Sequence, residues 1–226
     1  MFWIPPRKRD QYDPVFANNT WAQIIDACHK NQVPETWTVG SKKAMTIDGT
    51  DYVIDIIGKG HDDYADGSGK APLTFQLHDC FESDIAMNNS PTAIGDWASC
   101  DMRRFYMPYF LGLMPTEVQN GIREVNKPSA GSQSTTINTT ADKLFLLSEI
   151  EIFGRVTCSA SGEGTQYDYY KAGNSKVKKL NGDNYDWWER SLKSSDSTRF
   201  CRVLDDGSAG YLIQSAQRGV AFAFCF

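Results

Sequence analysis

The run Val220-Ala221-Phe222-Ala223-Phe224-Cys225-Phe226 carries no polar side chain and alternates small with large residues. Alternation with period two marks a strand, and one apolar on both faces must be covered on both. The segment therefore reads as a terminal strand packed against helices, and the rest of the fold has to be built around it. Ahead of it the pattern begins helical. Trp21, Ile24, Ile25 and Cys28 fall on one stripe, Thr20 or Asn19 caps it, and Gln23 completes a capping box with Thr20. Residues 1–18, Pro-rich and basic, read as an arm and docking segment, which leaves 19–226 as one domain.

Strands follow. Met45 and Ile47 lead into an Asp48-Gly49 turn and Tyr52–Ile57 returns, a hairpin. His61–Lys70 is a polar loop and Leu73–Leu77 a further strand. A second helix is predicted over Ser99–Met107, with Ser99 as cap, Met102, Phe105 and Tyr106 inward, and Pro108 ending or kinking it. Pro115–Val118 opens a short helix, Ile122–Val125 a strand, and Lys127–Asp142 an exposed Ser/Thr/Asn/Gly-rich loop. Leu144–Leu147 reads as a buried strand, Tyr167–Tyr170 and Tyr185–Trp188 as aromatic clusters in polar loops. Phe200–Leu204 and Tyr211–Ile213 form a hairpin around Asp205-Asp206-Gly207. Two early helices, then short antiparallel strands without an internal repeat, predict an α+β protein.

A chain of 226 residues can bury a core without disulfide or metal support. Its net charge of −5 argues against a duplex nucleic-acid binder. No apolar run approaches the roughly 20 residues of a membrane helix. Met1-Phe2-Trp3-Ile4-Pro5-Pro6-Arg7-Lys8-Arg9 reverses the order of a signal peptide, so synthesis in a cytoplasm is expected. The six cysteines form no C-x-x-C pair and read as small buried hydrophobes.

Catalytic templates fare badly. His29, His61 and His78 fit no zinc motif, and no G-x-S-x-G occurs. Gly67-Ser68-Gly69-Lys70 fails as a phosphate loop because Tyr64 and Ala71 stand where Gly and Ser/Thr are needed. His61–Asp66 crowds carboxylates as calcium loops do, but Tyr64 and Leu73 exclude an EF-hand. The loop reads instead as solvated, with His61 and Asp62 bonding backbone. Glu149 and Glu151 would face opposite ways on a strand, and Asp205 and Asp206 would be solvated in a turn. No catalytic residue, metal or cofactor is expected; a calcium-dependent enzyme using His61 and Asp62 is the enzymatic alternative.

Several motifs occur in order: Leu73-Thr74-Phe75, Gly95-Asp96-Trp97 with Cys100 and Arg103, Asp142–Ser148, Gly162-Glu163-Gly164, Trp187-Trp188 with Arg190-Ser191, and Arg218–Phe222. Together they resemble an uncharacterised domain family of phages and gut-bacterial surface proteins with a Trp-Trp-x-Arg-Ser signature. The ending also resembles the variable proteins of diversity-generating retroelements. That resemblance implies a C-type-lectin-like fold related to the formylglycine-generating enzyme, with a C-terminal surface mutated at adenines. Cys201 and Cys225 lie too far apart in sequence to match the enzyme branch's paired cysteines. Trp187, Trp188 and Arg190 would be scaffold. Arg199, Arg202, Leu204, Asp205, Tyr211, Leu212 and Ile213, all reachable from an Asn codon by its first two bases, would be the ligand-binding surface, with Tyr185 at its edge. The expected function is a receptor-binding, adhesin-type virion protein. Its ligand would be a bacterial surface protein or glycan. Its arm would dock to other virion proteins, and it would form a homo-oligomer, a trimer by the resemblance. A purely structural virion protein is the alternative.

Overall fold

The structure, a computed structural model, describes residues 11–92, 95–132, 134 and 136–226. Thr20 caps α1 (Trp21–His29): its Oγ1 accepts from the Gln23 N–H at 3.2 Å, while the Gln23 side chain accepts from the Thr20 N–H at 2.8 Å. The capping box thus forms as the sequence predicts, and Trp21, Ile24, Ala27 and Cys28 are buried beneath it. β1 (Lys42–Ile47) and β2 (Thr50–Lys59) make the expected hairpin. Asp48 and Gly49 both adopt positive φ, as its two-residue turn demands. β3 (Leu73–Leu77) pairs beside β2.

Met102–Tyr106 winds as a π-helix, in which the Met107 N–H reaches back to the Met102 carbonyl, and α2 (Met107–Leu113) continues from it. Pro108 was expected to end or kink this helix. It lies instead in the first turn of α2, where a missing N–H costs little. The wider π turn also takes Phe105 off the 3.6-residue stripe; predicted inward, it is exposed. α3 (Thr116–Gly121) begins after Pro115.

The stretch 127–142 is not the loop its composition suggests. β4 (Val125–Ala130) and β5 (Ile137–Asp142) pair in register as a hairpin. Its polar residues are partnered inside: Asp142 accepts from Trp97 Nε1 at 2.8 Å, Arg103 Nε at 2.6 Å and Thr140 Oγ1 at 2.6 Å. After β6 (Leu144–Phe145), Ser148 caps α4 (Glu149–Phe153). Glu149 and Glu151 therefore share a helical turn and are both buried, where a strand was expected. α5 (Asp168–Lys171) packs the 167–170 aromatics into the core rather than leaving them in a loop. The remaining strands are β7 (Lys178–Leu180), β8 (Asp183–Tyr185), β9 (Trp187–Lys193), β10 (Asp196–Val203), β11 (Ala209–Ile213) and β12 (Ala223–Cys225).

Among the described residues the main sheet runs β1-β2-β3-β12-β6, and a second runs β11-β10-β9. The terminal strand is thus interior to the larger sheet. Val220–Phe226 are fully buried. Phe224 stacks on Phe75 of β3 at 5.4 Å, Phe222 on Phe110 of α2 at 5.4 Å, and Phe226 meets Trp21 of α1 at 6.1 Å. Each such ring contributes about 1.5–3 kcal/mol by leaving water, so this segment is the nucleus of the core. Residues 11–18 depart from the expected arm: Tyr12 and Phe16 are buried, with Phe16 against Trp37 and Phe75, because two aromatic rings gain more inside than a tether gains outside. The docking segment around Trp3 lies outside the described residues. The architecture is α+β with antiparallel strands. No described helix is long and apolar enough to cross a membrane.

Candidate ligand-binding face

β10 and β11 pair with Arg199 opposite Ile213 and Cys201 opposite Tyr211. Opposite residues share a face, as do residues two apart, so Arg199, Tyr211 and Ile213 stand together. All three are exposed, Tyr211 by 42% and Ile213 by 37%. Lys193, at the end of β9, brings Nζ to 4.9 Å from the Tyr211 ring centroid, and the Arg199 guanidinium lies 5.8 Å from it. Arg199 Nε is 3.5 Å from Asp196. The Asp196 carboxylate accepts from the Thr198 hydroxyl at 2.6 Å and N–H at 3.1 Å; these bonds, ahead of the two nearby cations, hold its pKa below the usual range.

The other expected site residues turn elsewhere. Arg202, three positions after Arg199, projects from the opposite face and pairs with Asp186. Arg218 Nε approaches the same carboxylate at 3.3 Å, and the Asp205 N–H donates to it at 2.8 Å. Asp186 therefore anchors the base of the hairpin, and Arg202 is held by that anchor. Leu212 faces Phe200 and packs on the core. Leu204 covers Gly210, where an added Cβ would come within 2.9 Å of it. The Asp205 side chain is exposed at the turn, and the Tyr185 hydroxyl donates to Asp84 at 2.9 Å. The eight residues thus do not form one surface. Arg199, Tyr211 and Ile213 form a face, and Lys193 joins them.

Beside this face lies an open groove of about 800 Å³ between the β9–β10 turn, the end of the β4–β5 hairpin and the loop at Ala160. Ser134, Ser194, Ser195, Ser197 and Thr198 line it together with Lys193 and Asp196. Ser195 holds the turn with φ of 70°. Groove and face are continuous through Lys193.

A second cluster is chemically richer but closed to solvent. Lys127 Nζ donates to Asp62 Oδ1 at 2.8 Å, to Glu151 Oε1 at 2.8 Å and to the Tyr167 hydroxyl at 3.1 Å. Arg190 donates to Glu151 at 2.5 and 2.9 Å and to the carbonyls of Pro128, Leu146 and Glu163. Thr74 and Tyr167 donate to Asp62 at 2.6 and 2.9 Å. Asp62 is therefore a buried ion-pair partner, which corrects its expected place in a solvated loop. Burial alone would raise its pKa; the ammonium of Lys127 and the neighbouring His61 outweigh burial and hold it well below the carboxylate range. Arg190 and Lys127 do the same for Glu151 against its burial. Tyr167 is pushed up by burial and by these carboxylates. His61 lies over Tyr167 at 3.9 Å between ring centroids, with Nε2 on the Thr165 carbonyl at 3.1 Å. Asp62 and Glu151 are each matched by donors, and these bonds tie together segments far apart in the chain. Arg190, expected as scaffold, is buried in this cluster, while the sequence carries no signal for the burial of Lys127, which begins a Ser/Thr/Asn/Gly-rich stretch.

The six cysteines are free thiols, all buried except the half-buried Cys158. Among the described residues no group of His, Cys, Asp and Glu is arranged to hold a metal ion. The described fold is α+β, with the exposed β10–β11 hairpin and its groove on one side. Residues 74–226 match the model of a domain of unknown function, DUF6273, and the chain belongs to that family. No curated protein matches the chain, and neither does any solved structure.

Proposed function

We propose that this chain is a ligand-binding protein of adhesin type, built on a C-type-lectin-like fold and carried by a phage particle, which contacts a bacterial surface protein or glycan. The observation that carries the reading is the exposed Arg199–Tyr211–Ile213 face with Lys193, set on a hairpin that is rigid beneath it. Trp187 and Trp188 are fully buried, and Asp186 ties Arg202, Arg218 and the Asp205 backbone together. Exposed aromatic and cationic side chains on a fixed support suit recognition, since little entropy is lost when they engage. Arg199, Tyr211 and Ile213 are also among the positions that first- and second-base changes of an Asn codon can reach, which supports a diversified face. The phage setting, the virion location and a trimer that multiplies weak contacts rest on the motif resemblance.

Binding of the labelled chain to bacterial cells tests the reading. Tyr211→Ala is expected to weaken attachment by about 2 kcal/mol, as a central aromatic anchor does. Sequencing the locus across a population should show substitutions gathered at Arg199, Tyr211 and Ile213 with Trp187 and Trp188 constant. Attachment indifferent to all three residues, with an invariant hairpin, would leave a structural virion protein instead.

A further inference from the structure

We propose that the groove beside Tyr211 takes an acidic polysaccharide, a chain of uronate-type sugars with a carboxylate and free hydroxyls on each unit. This rests on the ligand-binding reading above and narrows its ligand to one chemical class.

The lining argues first. Five residues that carry hydroxyls, Ser134, Ser194, Ser195, Ser197 and Thr198, line a space of about 800 Å³ together with the apolar Ala130, Ala160 and Leu192, a mixed surface that suits the hydroxyls and CH faces of a sugar. An apolar ligand would strand those donors and acceptors, whereas a sugar supplies both at every hydroxyl. The Ser132 hydroxyl, between the lining residues Gly131 and Ser134, is buried with no partner among the described residues.

Backbone conformation argues second. Ser195 sits at φ of 70°, in the left-handed region that glycine enters without strain. Among the described residues the other non-glycine positions there are Asn31, Asp48 and Asn181, types that tolerate it. At the lip of the groove the chain instead keeps a hydroxyl against the preference of its own backbone, and such strain gathers at functional sites.

Charge argues third. Lys193 Nζ has the Ser194 carbonyl at 3.4 Å and the Tyr211 ring as neighbours, and no ion-pair partner among the described residues. Asp196 is engaged by Thr198 and Arg199. Asp196 also feels the charge of Lys193, so two cations share one carboxylate, and a neutral sugar would leave the excess positive charge unanswered. A uronate would set its carboxylate against Lys193 and Arg199 and its CH face on the tyrosine ring.

The test titrates the full chain with oligomers of galacturonate, alginate and hyaluronan, with their methyl esters, and with polyaspartate. At least one acidic oligosaccharide should bind, its methyl ester about tenfold or more weaker, and polyaspartate not at all. Added salt should weaken the complex. Lys193→Ala and Tyr211→Ala should each cost about tenfold at unchanged melting temperature, and Ser195→Gly should lose affinity without losing stability. Equal binding of acid and ester, or of polyaspartate, overturns the proposal. If the chain still attaches to cells through Tyr211 and no acidic oligosaccharide competes, the uronate assignment fails and the ligand-binding reading stands. If neither cells nor sugars are bound, both fall.

Discussion

Glu189 lies between Trp188 and Arg190 on β9, and both of its carboxylate oxygens are buried without a partner among the described residues. Burial, followed by the charges of Glu149 and Glu163, pushes its pKa well above the usual carboxylate range. In the unfolded chain it would ionise near 4.3, so over the pH range above that value folding takes up a proton. A raised folded pKa gives stability that is complete below the unfolded value and is lost as pH rises through the folded one. Glu189→Gln removes that dependence. Its melting temperature should therefore gain on the wild type progressively from pH 5 to pH 8, by an amount corresponding to about 1.4 kcal/mol per pH unit at most. Parallel melting curves would mean that Glu189 ionises in place. Asp62 and Glu151 act in the opposite direction: held low by their cations, they stabilise at neutral pH and lose that contribution as pH falls through their folded values. Ser195→Gly, which relieves the left-handed turn, should raise unfolding stability by roughly 1 kcal/mol in chemical denaturation; a loss would show that its hydroxyl holds the turn.

The β10–β11 hairpin separates two kinds of residue along one strand pair. Phe200 is fully buried while Tyr211, one register step away, is exposed. Phe200→Ala should cost about 3–5 kcal/mol of stability, whereas Tyr211→Ala should stay within about 0.5 kcal/mol. Equal costs in urea titrations would place Tyr211 in the core instead of on a recognition face. This hairpin was legible because its turn, Asp205-Asp206-Gly207, and its apolar runs are local. So were the capping box of α1 and the Asp48-Gly49 turn. The β4–β5 hairpin was not: whether Lys127 and Asp142 are buried depends on Asp62, Trp97 and Arg103, none of them near in sequence to the residue each partners. The π segment hid for a related reason, since a 3.6-residue stripe fits Met102 and Phe105 until one wide turn displaces the second. Only part of the site was readable. Composition marked the hairpin residues, but the strand register decides that Arg199 and Arg202 face apart, and Asp186 decides what Arg202 does.

Across the whole molecule, the buried ion network joins parts that the chain separates. Asp62 follows β2, Thr74 is on β3, Lys127 on β4, Glu151 on α4, Arg190 on β9, and the Cys225 thiol on β12 donates to Thr74 at 3.5 Å. Both larger sheets and the β4–β5 hairpin thus meet at one charged centre. Lys127 stands between Asp62 and Glu151 and touches both, whereas Arg190 pairs with Glu151 alone. Lys127→Met leaves Asp62 with His61 alone, 3.6 Å away, and Glu151 with Arg190 alone, so the fold should lose about 3–5 kcal/mol, a large share of the 5–15 kcal/mol that holds a typical domain. Replacing the stranded charge as well distinguishes charge from packing. Lys127→Met combined with Asp62→Asn keeps the Arg190–Glu151 pair and removes the unpaired carboxylate. The double variant should recover much of the loss, with a coupling of about 1–3 kcal/mol in a double-mutant cycle followed by chemical denaturation. Strict additivity would mean that Lys127 acts independently of Asp62, through Glu151 and through its ammonium over the Phe145 ring at 4.2 Å from the centroid, and that the Lys127–Asp62 pair contributes no cohesion of its own.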